Sequence, residues 1–171
     1  MGHAHNSESA DRYWQHFCRA HGVDRGAPLQ IWHFGDSPEL AKRLVELVVN
    51  GPKRATASLR WVYDRQLAPM PIVGEYNVLT EHDGTPRAVT RTTHVEERAF
   101  CDVDAAFAFE EGEGDRSLAY WRAAHWRFFS PECEALGISP TEDMPIILER
   151  FELLHPCDTC PPACRTDPEG G

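Results

Sequence analysis

What this chain has least of is lysine. Of its 17 lysine and arginine side chains only Lys42 and Lys53 are lysines. A guanidinium keeps its charge in any protein setting, whereas a desolvated ammonium can lose its proton, so a lysine in an arginine-using chain is a candidate base. The competing reading of Lys53 is a solvated turn residue. Net positive charge is also missing: 27 acidic residues leave a formal charge of -10 and a pI near 5.3. Such a field repels polyanions, so any nucleic-acid contact has to be local. Basic residues at Lys53, Arg54 and Arg60, and at Arg87, Arg91 and Arg98, leave room for a basic groove on an acidic body. No run approaches the ~20 apolar residues that span a bilayer, and the first ten residues are polar without a hydrophobic signal core. A cytoplasmic protein with no membrane partner is expected.

Two catalytic signatures are absent as well. Gly51-Pro-Lys-Arg-Ala-Thr56 lacks the Gly-Lys-Ser/Thr of a phosphate loop and runs from helix to strand, the reverse of that motif. No Gly-x-Ser-x-Gly elbow occurs. Nucleoside triphosphate hydrolysis and an elbow-type serine hydrolase are excluded on these grounds.

The six cysteines, without a secretory signal, fit reduced thiols or a metal site better than a disulfide framework. Cys18, Cys101 and Cys133 are scattered singles, read as packing residues. His155, Cys157, Cys160 and Cys164 fall within ten residues and could bind zinc tetrahedrally. A lone Cys-x2-Cys-x3-Cys differs from paired knuckles, however, and Pro156, Pro161 and Pro162 stiffen the loop. The reading taken is a thiol-bearing tail with no cofactor, with zinc as the alternative.

At 171 residues the chain is one domain's worth. We expect a tail over 1–10, a domain over 11–154 and a Cys/Pro-rich tail over 155–171. Tyr13, Trp14, Phe17 and Cys18 have helical spacing within 11–21. A second helix starts at Asp36 or Ser37 as cap with Pro38 in its first turn, buries Leu40, Leu44, Leu47 and Val48, and stops before Gly51. Residues just past Gly51 are thereby aimed rather than floppy. Strands are expected over 56–62, 75–80, 87–100 and 146–154, with an Asp83-Gly84 turn joining the second and third. Residues 107–114 read as an acidic turn. Asp115 then caps a helix that presents Leu118, Trp121, His125 and Phe128 and is stopped by Ser130-Pro131. Trp14, Trp121 and Trp126 read as packing residues, and His125 as a hydrogen-bonded buried histidine. This order implies an α+β fold with a mostly antiparallel sheet able to close on itself.

Lys53 and Thr56, three residues apart at the start of a strand, suit a nucleophile pair in which a neutral amine takes the hydroxyl proton. That requires the amine to be pulled down by burial or by a cation such as Arg54. An acid to protonate a leaving group is available among Glu110, Glu111 and Glu113, against the reading of a solvated acidic loop.

The run Trp32-His-Phe-Gly-Asp-Ser-Pro-Glu-Leu-Ala41, then Gly51 to Thr56, then Arg91-Thr-Thr-His-Val95, then Glu111-Gly-Glu-Gly-Asp-Arg-Ser-Leu-Ala-Tyr-Trp-Arg122 resembles the ASCH domain family in its bacterial branch. The likeness covers roughly residues 11–154. It implies a PUA-like fold, a small and mostly antiparallel β-barrel with flanking helices and a cleft, and it places a Gly-x-Lys-x-x-Thr signature on Gly51, Lys53 and Thr56. The family was first viewed as RNA-binding. Its active members include ribonucleases and amidohydrolases of N4-acylated cytidine that use lysine, threonine and glutamate. The glutamate falls on Glu113 or Glu111, with Glu113 preferred. The resemblance thus implies a nucleoside-like or short single-stranded RNA ligand, with Gly51, Arg54, Ser58, Tyr63 and Arg91 as candidate contacts. The alternative is a non-catalytic RNA-binding groove with Tyr63 or Trp61 stacking on a base.

Overall fold

In the computed structural model, which describes residues 2–3 and 8–156, the chain order is β1 (Gly2–His3), α1 (Glu8–His21), β2 (Leu29–His33), α2 (Pro38–Val49), β3 (Ala55–Leu59), α3 (Arg60–Asp64), β4 (Tyr76–Thr80), β5 (Pro86–Ala99), α4 (Ala105–Glu111), α5 (Leu118–Ala135) and β6 (Pro145–Pro156). The six strands follow the order β1-β2-β4-β5-β6-β3. β1 with β2, β4 with β5 and β3 with β6 are antiparallel, and β2 with β4 is parallel. The mixed α+β expectation with a mostly antiparallel sheet holds. Cys157, Cys160 and Cys164, the candidate zinc ligands, lie outside the described residues, as does most of the carboxy-terminal tail. Among the described residues no three His, Cys, Asp or Glu side chains are grouped to hold a metal ion. Nor is any described helix long and apolar enough to cross a membrane.

The chain divides into two compact units, residues 1–50, 74–92 and 152–171, and residues 51–73 and 93–151. In the first, α1 buries Ala10, Tyr13, Trp14, Phe17 and Cys18, which cluster with Val78 of β4 and Val89 of β5. The helical spacing of its aromatics is what makes that face. α2 starts as its signals predict: Ser37 Oγ accepts from Leu40 N, and Pro38 occupies the first turn, where its missing N–H costs nothing. Its buried stripe is Ala41, Leu44, Val45 and Val48, so the expected Leu40 and Leu47 sit half-buried at the margins. Trp32 Nε1 donates to Asn77 Oδ1 at 2.8 Å, and Asn77 Nδ2 donates to Thr92 Oγ1 at 3.1 Å. On β5, Ala88, Thr90 and Thr92 are buried while Arg91 and Thr93 are exposed, the alternation expected of a strand with a polar inner row.

In the second unit, Ala55, Leu59, Phe100, Val103, Phe107, Trp121, Phe129, Cys133, Ile146 and Leu148 form one apolar cluster. Local structure departs from expectation in three places. The strand expected over 56–62 ends at Leu59, and α3 takes over. The acidic turn expected over 107–114 is mostly helix: Asp104 accepts from Phe107 N and opens α4, and Gly112 closes it at φ +74°. The helix expected after Asp115, α5, is capped by Ser117 instead, and does not stop at Ser130-Pro131 but carries Pro131 inside it to Ala135. Trp121, Phe129 and Cys133 continue one buried face past the proline, and that packing outweighs the lost backbone bond. Of the scattered cysteines, Cys18 and Cys133 are buried as expected, whereas Cys101 is exposed.

Candidate active site

Lys53 belongs to the second unit, and the end of α4 positions it there. A Cβ built on Gly112 would lie 2.8 Å from Lys53 N and 2.9 Å from Pro52 C, so the backbones touch with no room for a side chain. Arg54 N donates to Glu110 O at 2.9 Å, and Phe151 N donates to Arg54 O at 2.9 Å. Residues 52–54 are therefore pinned between the α4 terminus and β6.

The Lys53 side chain is fully buried. Its Nζ donates to Glu113 Oε1 at 2.7 Å and to Glu111 Oε1 at 3.5 Å. Glu111 is as buried as the lysine, while Glu113 keeps 14% of its side chain exposed. Glu111 Oε2 accepts from Trp121 Nε1, and its Oε1 lies 3.3 Å from His125 Nε2. The His125 ring stacks on Trp121 with centroids 4.2 Å apart, and its Nδ1 lies 3.0 Å from Trp121 O. Reading His125 as a hydrogen-bonded buried histidine thus holds: its bond is with the Trp121 carbonyl, and the Glu111 carboxylate lies at its other ring nitrogen. The expected solvated turn lysine and solvated acidic loop do not occur at Lys53 and Glu111. Two carboxylates face two nitrogen bases in one largely buried cluster, an arrangement that burial tolerates only when the charges pair.

The protonation states follow. Burial pushes the Lys53 ammonium down, but Glu113 and then Glu111 outweigh it, and the net direction is up. The downward shift required of a resting base is therefore absent. Arg54 does not supply it either, since its guanidinium donates to Lys53 O at 2.6 Å. Burial pushes the Glu111 carboxyl up, and the charges of His125 and Lys53 with the Trp121 N–H bring it below the usual range. Crowding therefore does not make Glu111 hold a proton. His125 is pushed down by burial and up by Glu111, with Glu113 and the Trp121 backbone adding to it, and the net direction is up.

These shifts set opposite pH limits on stability. Glu111 has its folded value below the unfolded value of ~4.3, so its contribution is present above that pH and lost as pH falls through the folded value. His125 has its folded value above ~6.5, so its contribution is complete below that pH and lost as pH rises through the folded value. Urea midpoints measured across pH should plateau between about pH 4.5 and 6.5 and decline on both sides. A midpoint that climbed steadily from pH 7 to 9 would contradict the assignment.

Thr56 and Ser58 lie on the face of β3 opposite Ala55, Ala57 and Leu59, which meet the apolar cluster. Both are buried, and the Thr56 hydroxyl has no hydrogen-bond partner among the described residues. Ser58 Oγ and Tyr63 OH are 2.6 Å apart. Burial first, with Glu149 and Glu132 adding to it, pushes the Tyr63 phenol up to about 12 despite the Ser58 bond, so it stays protonated. Glu149, absent from the sequence-derived set, is buried directly opposite Thr56 in the β3–β6 register. The signal was available: it is an acidic residue in the apolar run Ile146-Ile-Leu-Glu-Arg-Phe151, but only the register places it beside Thr56. Gly51 is half-buried just ahead of Lys53. Glu110 pairs with Arg150 instead of joining the lysine. Arg91 belongs to the first unit, where its Nε and Nη2 donate to Glu152 Oε1 at 2.8 and 2.5 Å.

Comparison with known proteins bears on this arrangement at the level of the family. The sequence model of the ASCH domain matches residues 30–155. No curated protein matches the chain. Among solved structures, the ASCH domain from Lactobacillus crispatus JV V101 is 33% identical, with a TM-score of 0.78 over 89% of this chain and 98% of its own. Protein EF3133 from Enterococcus faecalis V583 is likewise 33% identical, with a TM-score of 0.76 over 86% of this chain and 88% of its own. With a match spanning most of its length and an α+β, PUA-like architecture in common with these structures, the chain belongs to the ASCH domain family, which is associated with RNA binding.

Proposed function

We propose that this protein is a cytoplasmic hydrolase of a nucleoside-like substrate, cleaving an amide such as that of an N4-acylated cytidine, with Lys53, Thr56 and Glu113 as its working groups. The observation that carries this reading is the sequestered Lys53–Glu113 pair at 2.7 Å, three residues before a hydroxyl with no described partner. A largely buried ion pair is a proton-exchange couple: the ammonium passes its proton to Glu113 and becomes the amine that a base requires. The Thr56 hydroxyl then attacks the acyl carbon and gives its proton to Lys53, while the Glu113 carboxylic acid protonates the departing nitrogen as the C–N bond breaks. Water attacks the resulting ester. Its proton goes to Glu113, the threonine oxygen recovers one from Lys53, and the couple returns to its ion-paired state.

The formal charge of -10 favours a small ligand over a long polyanion. Wild-type protein should release free cytidine from N4-acetylcytidine, and Lys53→Ala should slow turnover by about a thousandfold or more, the scale of losing a general base. Absence of product from the wild type sinks the amidohydrolase reading. Cleavage of single-stranded RNA in its place would identify a ribonuclease. RNA binding that weakens steeply with salt, with no turnover of either substrate, would identify a non-catalytic RNA-binding module.

A further inference from the structure

Within the buried cluster, His125 is the nitrogen base that the proposed reaction does not use. Each of its ring nitrogens faces an oxygen. Nδ1 lies 3.0 Å from the Trp121 carbonyl oxygen, which can only accept, so Nδ1 carries a hydrogen. Nε2 lies 3.3 Å from Glu111 Oε1, and an ionised carboxylate likewise only accepts. An imidazolium suits both neighbours at once, whereas a neutral ring with its hydrogen on Nδ1 would turn a lone pair toward the Glu111 carboxylate. The charged groups facing it are Glu111 at the end of α4 and Glu113 just beyond, with Lys53 sharing the same Glu111 oxygen. Its own helix contributes the Trp121 carbonyl and the Trp121 and Phe129 rings.

The cluster then balances as two cations against two carboxylates, but not symmetrically. Glu111 receives His125 and the Trp121 N–H in addition to a long 3.5 Å contact from Lys53, whereas Glu113 has Lys53 at 2.7 Å. We infer that His125 is a positioning residue: by neutralising Glu111 as an imidazolium, it commits the Lys53 ammonium to Glu113 and so fixes which carboxylate exchanges a proton with the amine. Without it, Glu111 is a fully buried carboxylate with a single cation in reach, and Lys53 is drawn off Glu113 towards it. The upward direction of the His125 shift agrees with this geometry.

The inference rests on the proposed hydrolase only for its kinetic consequence, and two of its three tests need no turnover. Long-range 1H–15N spectra of the wild-type protein at pH 8 should show both His125 ring nitrogens protonated, whereas an ordinary histidine is almost wholly neutral there. A singly protonated ring overturns the inference without any variant. In a crystal structure of His125→Gln, Lys53 Nζ should close to about 3 Å from Glu111 and leave hydrogen-bond reach of Glu113. An unchanged Lys53–Glu113 contact overturns it too. With turnover established, His125→Gln should lower kcat about tenfold or more, with KM within about threefold and the pH profile displaced, as loss of proton positioning without loss of binding requires. Equal losses in kcat and KM, or an unmoved profile, reject the role. If the wild type turns over no acylated cytidine while the first two results are obtained, the hydrolase reading falls and the role of His125 in the ion cluster stands.

Discussion

Gly112→Ala should cost about 3 kcal/mol or more of unfolding free energy, well beyond what a left-handed glycine alone commands. The dihedral contributes about 1–2 kcal/mol, because an alanine Cβ at φ +74° crowds its own carbonyl. The remainder comes from the neighbour. The new methyl would lie 2.8 Å from Lys53 N and 3.0 Å from Lys53 Cα, and backbone cannot swing aside as a flexible side chain can. Gly137 separates the two effects. It has nearly the same dihedral, φ +71°, with nothing within 4 Å of an added Cβ, so Gly137→Ala should cost only the backbone share of about 1–2 kcal/mol. Denaturant titration of both variants checks the difference. If they are equally destabilised, the close approach of the α4 terminus to Lys53 is not what holds that lysine.

Glu111→Gln should be the most destabilising of the isosteric changes in the cluster, by about 3–5 kcal/mol. Three donors converge on this side chain, from Trp121, His125 and Lys53, and an amide presents them with one oxygen and an NH2. Two buried cations would then share one carboxylate. Glu113→Gln should cost clearly less, because 14% of that side chain already reaches solvent and Lys53 keeps Glu111. The same measurements across pH supply a second check. In Glu111→Gln the alkaline decline of stability should shrink, since His125 loses the nearer of the two carboxylates that raise it. Equal costs for the two glutamines would mean that the two carboxylates are interchangeable, contrary to the geometry.

Much of the site was legible in the sequence, and the reasons are local. Lys53 and Thr56 stood out because a helix with clear start and stop signals ends just before them, and because lysine is so scarce. The identity of the carboxylates was not legible. Glu110, Glu111 and Glu113 differ in role only through the turn that α4 makes at Gly112, and α4 is seven residues long, too short for helical periodicity to show. Its punctuation was present in Asp104 and Gly112, but the acidic, glycine-rich string reads first as a loop. Pro131 misled for a different reason: a proline is a breaker only when nothing packs beyond it, and Cys133 does. Glu149 lay hidden because strand register is a property of two segments together. The upward shift of Lys53 could not be foreseen, since it depends on which of burial and charge is larger at one position in space.

The placement of two sulfur atoms offers a practical opening. Cys18 sits in the apolar cluster of the first unit and Cys133 in that of the second, and burial holds both thiols above their ordinary range. Each unit therefore carries its own built-in clock: an alkylating reagent can reach either sulfur only after the surrounding packing has let go. Peptide mapping of the two modification rates, with exposed Cys101 as the internal reference for reagent, would time the loosening of one half of the molecule against the other without adding a single probe.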